Sequence, residues 1–127
     1  MPGVDVYLNS SISFHLGAQE RDSLKTSVRR FGTAHFSVGD KLVLSDRDFS
    51  FKFHSPEDGD ELTNDIIVRI RLHEFEERLD NLDDAISAEM AHYIAEGLST
   101  FFLGWEITIG VELMLAEIMW GTAITAD

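Results

Sequence analysis

Residues 66–115, IIVRIRLHEFEERLDNLDDAISAEMAHYIAEGLSTFFLGWEITIGVELML, read as one strand–helix–strand unit. Ile66, Val68, Ile70 and Leu72 alternate with Ile67, Arg69, Arg71 and His73, the period of two expected of a half-buried strand. From Leu79 the period lengthens. Leu79, Leu82, Ile86, Met90, Tyr93, Ile94, Leu98 and Phe101 recur at three- and four-residue spacing and give one wide apolar helix face. Asp80, Asn81, Asp83 and Asp84 stand where helix caps and dipole-favoured acids belong, and Gly104 is predicted to close the helix. Alternation then returns, with Ile107, Ile109, Val111, Leu113 and Leu115 on one side and Glu106, Thr108, Gly110, Glu112 and Met114 on the other.

The first half carries a weaker copy of the same order. Val4–Leu8 predicts a strand, and Ile12–Leu16 either extends it or pairs back after the turn signal Asn9-Ser10-Ser11. A helix is predicted near Gln19–Phe31, with Leu24, Val28 and Phe31 on one face and Gly32 as its stop. Phe49, Phe51 and Phe53 alternate with Ser50, Lys52 and His54 in a second strand, and Ser55–Asn64 is an acidic turn. Two β-α-β units with right-handed crossovers place both helices on one face of a sheet. The expected fold is therefore α+β, a two-layer sandwich with a four-stranded mixed sheet. It is read as one domain over residues 1–127, with units at about 2–54 and 65–115 and a tail at 116–127. Phe49, Phe51, Phe53, Ile107, Ile109, Val111, Ile86 and Met90 form the predicted core between sheet and helices. The second sheet face has no cover and shows Ile67 and Met114. Bare apolar surface of that kind predicts oligomerisation.

Composition narrows the function classes. Cysteine is absent, which excludes disulfides and thiolate chemistry and permits a reducing compartment. The opening MPGVDVYLNS lacks the basic and apolar regions of a signal peptide, so a cytoplasmic setting is expected. Glu112 and Glu117 interrupt the most apolar stretch, which argues against a membrane span. The net charge is −13 and sits in one half. Residues 1–56 carry seven basic and six acidic side chains, residues 57–127 three and seventeen, and no Lys or Arg follows Arg78. Such a surface repels phosphate backbones and anionic lipid, so neither nucleic acid nor membrane is an expected partner. The excess acid serves solubility, and it also lets an acidic half of one subunit meet a neutral half of another.

With its two β-α-β units, a proline (Pro2) directly after Met1 and preceding Val4-Asp5-Val6-Tyr7-Leu8, and Trp120-Gly121 near the C-terminus, the chain resembles the tautomerase superfamily. By length it is most similar to the carboxymethyl-hydroxymuconate isomerase and malonate semialdehyde decarboxylase branches. The resemblance implies a homotrimer and a base at Pro2, whose nitrogen becomes a secondary amine once Met1 is removed. Such an amine, poised near neutral pH, can take a proton next to a carbonyl and return it elsewhere. The resemblance also sets the first strand antiparallel beside the third, so the end of the third strand approaches Pro2. Arg71 and His73 occupy that end, with Arg69 one pair further along, as candidates to bind the substrate carboxylate and steady an enolate. The implied activity is tautomerisation or isomerisation of a small carbonyl or enol acid. The alternative is a catalytically silent oligomer or small-ligand-binding module on the same scaffold.

The residues admit plainer readings too. Arg69 and Arg71 fit the polar face of a strand, paired across to acids such as Glu106 or Glu112. His54 and His73 fit surface or interface histidines. Gly3 departs from the family, which usually has a bulky apolar residue after the proline. The ending His73-Glu74-Phe75 lacks the closely spaced terminal arginines of the decarboxylase branch, which speaks against hydration chemistry. Glu89, His92 and Glu96 share one helix face opposite the apolar stripe, as a solvated face rather than a metal site. No metal and no cofactor are expected.

Overall fold

The strands are β1 (Gly3–Leu8), β2 (Ser50–His54), β3 (Ile66–His73) and β4 (Ile109–Ala116), and they form one sheet in the order β2-β1-β3-β4. The computed structural model describes residues 2–37, 44–56, 62–73, 82–116 and 123. At the two flanks β1 runs parallel to β2 and β3 parallel to β4, while β1 and β3 are antiparallel at the centre. A parallel pair needs a long crossover. Helices α2 (Ala18–His35) and α3 (Asp84–Ser99) supply one each, after the short α1 (Ser10–Ser13). This is the expected two-layer α+β architecture. Among the described residues no helix is long and apolar enough to cross a membrane.

Both helices pack on one sheet face. Val4, Val6 and Leu8 of β1 and Ile66, Val68, Ile70 and Leu72 of β3 are buried against Leu24 and Val28 of α2 and Met90, Ile94 and Leu98 of α3. Each such side chain contributes about 1.5–3 kcal/mol on transfer from water. Asp83 caps α3, its Oδ1 accepting from the Ile86 N–H at 3.0 Å. Asp65 fastens the start of β3 to β4. Its Oδ2 accepts from the Thr108 N–H at 3.0 Å, its own N–H donates to Thr108 Oγ1 at 3.0 Å, and its Oδ1 accepts from the Ser11 hydroxyl at 3.2 Å.

Several expectations require correction. Ile12 does not extend β1 but lies in α1, where it is buried under the helical layer. Alternation over so few residues cannot separate a strand from a single helical turn. Gly32 does not stop α2, which continues to His35. A Cβ on Gly32 would stand 2.4 Å from Phe49 Cζ, so the glycine admits the buried Phe49 ring against the helix. Gly32→Ala should therefore destabilise the fold by about 1–3 kcal/mol in urea unfolding. A loss under about 0.5 kcal/mol would show that the ring yields freely. Of the predicted core, Phe49 and Met90 are fully buried, whereas Phe51, Phe53, Ile86, Ile107, Ile109 and Val111 are only partly so. For Phe51, Phe53, Ile109 and Val111 the reason is topological: β2 and β4 are the sheet edges, and their side chains have neighbours on one flank only. Phe101 lies past the end of α3 and is exposed, with Phe102 buried in its place. Leu79, Asp80, Asn81, Trp120 and Gly121 lie outside the described residues.

The uncovered sheet face also differs from expectation. Ile67 and Met114 are there, but the face is mainly charged and aromatic, and its residues are tied together. Met114 is exposed there, but the most exposed large apolar groups, Phe14, Leu103 and Trp105, lie outside the strands.

Candidate active site

Strand periodicity places Gly3, Asp5 and Tyr7 of β1 on the face away from the helices, because Val4, Val6 and Leu8 point into the core. The registers then decide who meets whom. Gly3 stands between Ser50 and Arg71, Asp5 between Lys52 and Arg69, and Tyr7 between His54 and Ile67. Glu112 of β4 lies beside Arg69.

Asp5 is the hub of this face. Its side chain is only 15% exposed, with Oδ1 2.8 Å from His54 Nε2 and Oδ2 3.5 Å from an Arg71 terminal nitrogen. The His54 ring stacks on Tyr7 at 4.4 Å between centroids and 10° between planes. The Arg69 guanidinium lies 5.3 Å over the other neighbour of that ring system, the Tyr7 centroid, and its Nε donates to Glu112 Oε2 at 3.1 Å. The hydrogen bond and charge of Glu112 make Arg69 hold its proton more firmly than a free arginine does. Lys52, Arg69 and Arg71 thus face two carboxylates, Asp5 and Glu112, so this described patch is locally cationic in a chain of net charge −13. Such a patch attracts small anions out of an otherwise repellent field.

The sequence candidates divide accordingly. Pro2 is buried, and its carbonyl accepts from the Ser50 N–H at 3.2 Å. Arg71 lies opposite Gly3, the residue after Pro2, and its side chain is 58% exposed. Arg69 sits one pair inward and is already matched by Glu112, the partner its strand position suggested. The His73 backbone ends β3 opposite Ala116, and its side chain lies outside the description. Asp5, Tyr7 and His54 were not among the candidates. The signal for Asp5 and Tyr7 was present, since both alternate with Val4, Val6 and Leu8. Their meeting with His54 depends on the β1–β2 register, which spacing alone does not give. Among the described residues, no three His, Asp or Glu side chains gather as metal ligands.

Away from this face, a groove of about 620 Å³ runs between α3 and β4, floored by Ala88, Ala91, Ala95, Ile107, Ile109 and Val111. Asp84, Ser87 and His92 also line it, while Arg71 and Pro2 do not, and its broad form with an apolar floor suits a docking surface better than a small acid.

The path of the chain is similar to that of Leishmania major MIF2, at 12% identity and a TM-score of 0.56, with 94% of this chain and 93% of that one covered. It is similar also to malonate semialdehyde decarboxylase, at 8% identity and a TM-score of 0.57, covering 95% and 92%. The fold is that of the tautomerase superfamily. A further tautomerase-like neighbour, the wild-type fused 4-OT F6, is an asymmetric trimer, similar at 14% identity and a TM-score of 0.52 over 91% of this chain and 85% of that one. No family model matches the sequence, and no curated protein does. Identities this low carry the fold alone, so the chemistry of this tautomerase-like chain is argued from its own residues.

Proposed function

We propose that the chain is a tautomerase or isomerase of a small carbonyl or enol acid, working as one domain over residues 1–127. After removal of Met1, the Pro2 nitrogen is the base and Arg71 the carboxylate anchor, with Arg69 and His73 as further substrate-binding groups. The observation that carries this reading is the pairing of Gly3 with Arg71, which brings a half-exposed guanidinium beside the residue that follows Pro2. An acid bound to Arg71 would hold its enol beside the amine, which can take the enol O–H proton and return a proton to the carbon at the far end of the enol double bond, giving the keto acid. Arg71 is the better anchor of the two strand arginines because Glu112 already matches Arg69. The test is turnover of phenylenolpyruvate by a correctly assembled chain whose intact mass shows Met1 removed. Activity on that enol or on related small enols supports the reading. Inactivity on all of them, with Met1 retained in the native host, leaves a silent ligand-binding scaffold. A cytoplasmic setting fits the cysteine-free chain.

The same reading includes a homotrimer. Its support is the difference between the two sheet edges. On α2, Arg21 and Lys25 lie over the Phe53 ring and Arg29 over Phe51, at 4.9–5.7 Å, and none of the three pairs with a carboxylate among the described residues. At the other edge, the α3–β4 groove is apolar with Asp84 at its rim. Unlike edges that fit head to tail close into a ring when the rotation allows it. Sedimentation at micromolar concentration should give a trimer. A monomer or a dimer would sink this part of the reading.

A further inference from the structure

Gly3 is a poor residue for a strand. It has no side chain to pack and loses more backbone freedom on folding than any other residue. A glycine in a strand often marks a place where another group comes close to the backbone, and here that group is Arg71. A Cβ built on Gly3 would stand 3.2 Å from a terminal nitrogen of Arg71, 3.7 Å from its Nε and 3.8 Å from its Cζ. The nitrogen-bearing edge of the guanidinium therefore stands against the bare Cα. Two residues along on the same face, Asp5 takes the same terminal nitrogen at 3.5 Å, and His54 holds the second Asp5 oxygen at 2.8 Å. His54 in turn is fixed by its stack on Tyr7.

We infer that Gly3 and Asp5 are positioning residues, forming a seat that holds the Arg71 guanidinium against β1, beside the residue that follows Pro2. This rests on the reading of Arg71 as the carboxylate anchor. A free arginine side chain has large rotamer freedom, and a seat that removes it beforehand leaves less to lose when an acid binds. A guanidinium has five donors in a fixed fork, and among the described residues only Asp5 takes one, which leaves the others for a ligand carboxylate. The departure at Gly3 from the bulky residue usual in the family thus gains a purpose: space for the anchor.

The seat makes an unusual demand on its variants. Gly3→Val adds a β-branched residue that suits a strand, so stability should hold or rise, yet its methyl groups occupy the place of the guanidinium. Asp5→Asn keeps the shape and removes the charge, and Asp5→Glu is the conservative rescue. In the assembled, Met-free protein, the Nε–H signal of Arg71 is assigned in a ¹⁵N spectrum by its loss in Arg71→Lys. KM and kcat are measured with phenylenolpyruvate, and pyruvate is the titrated probe. The inference expects the Arg71 signal to move toward that of a free arginine in Gly3→Val and Asp5→Asn. KM should rise about tenfold with kcat changed less, and Asp5→Glu should recover part of it. An unmoved signal in both variants overturns the seat whatever the activity, and a moved signal with unchanged KM overturns its role in placing the anchor. If the parent protein turns over no enol, the activity reading falls. The seat is then judged on pyruvate alone, which must shift the Arg71 signal in the parent and fail to do so in Gly3→Val.

Discussion

A chain that keeps Met1 should turn over no phenylenolpyruvate, while the same chain with Met1 removed should. In the first form the Pro2 nitrogen is an amide, whose lone pair is delocalised into the carbonyl and accepts no proton. In the second it is a secondary amine. An ordinary α-amino group titrates at about 7.7–8.0, and burial together with a nearby guanidinium both favour its neutral form. Pro2 is buried, and Arg71 reaches the neighbouring residue. The free base is thus the expected state at neutral pH, which is what proton abstraction next to a carbonyl requires. Arg71→Ala should then reduce kcat/KM by about tenfold or more, because a charge-assisted contact that tightens as the enolate forms is lost. The comparison needs intact masses for both forms and matching sedimentation profiles. Equal turnover with and without Met1 removes Pro2 from the mechanism.

The second large effect concerns the core. Met90 is 0% exposed and lies in the cluster shared by α3, β1 and β3, so Met90→Ala should cost about 2–5 kcal/mol. Ile109, half-buried at the β4 edge, loses fewer contacts on truncation, and Ile109→Ala should cost less in a dissociated chain. Denaturant unfolding of both variants at matched protomer concentration gives the ranking, since assembly adds stability by mass action. A loss below about 0.5 kcal/mol for Met90→Ala would mean that the helix faces are inverted. If Ile109→Ala becomes as costly as Met90→Ala only where the protein is assembled, a second copy covers the α3–β4 groove.

The central strands were legible because burial on one face imposes strict alternation. Ile66–Leu72 and Val4–Leu8 show it without interruption, and α3 shows the helical period just as plainly. Elements at the margins were less so. Ile12 is apolar in either a strand or a helical turn, and Gly32 signals a stop until the Phe49 ring that fills its space is placed beside it. The partial burial of Phe51, Phe53, Ile109 and Val111 follows from sheet order, which puts their strands at the edges and which spacing does not encode. The same holds for the candidate site. Pro2, Arg69 and Arg71 could be picked out by residue type and position. The hub at Asp5 needed the β1–β2 register, because His54 lies 49 residues away in the chain.

The sheet has an approximate internal two-fold axis through the Val6–Val68 pair, relating β1 to β3 and β2 to β4. Under it, the Gly3–Arg71 pair falls on Asp65 and Asn9 at the opposite pole. There the chain passes straight through, with the Asn9 N–H donating to the Asp65 carbonyl at 2.9 Å and the Asp65 carboxylate bound to Ser11 and Thr108. No amine can arise within a continuous backbone, and among the described residues no arginine pairs with Asp65. The pseudo-symmetry therefore offers two like geometries but only one that an N-terminal base can use. On the proposed reading each chain therefore carries one site, at the Gly3–Arg71 pole, while Asp65 stitches the opposite pole shut.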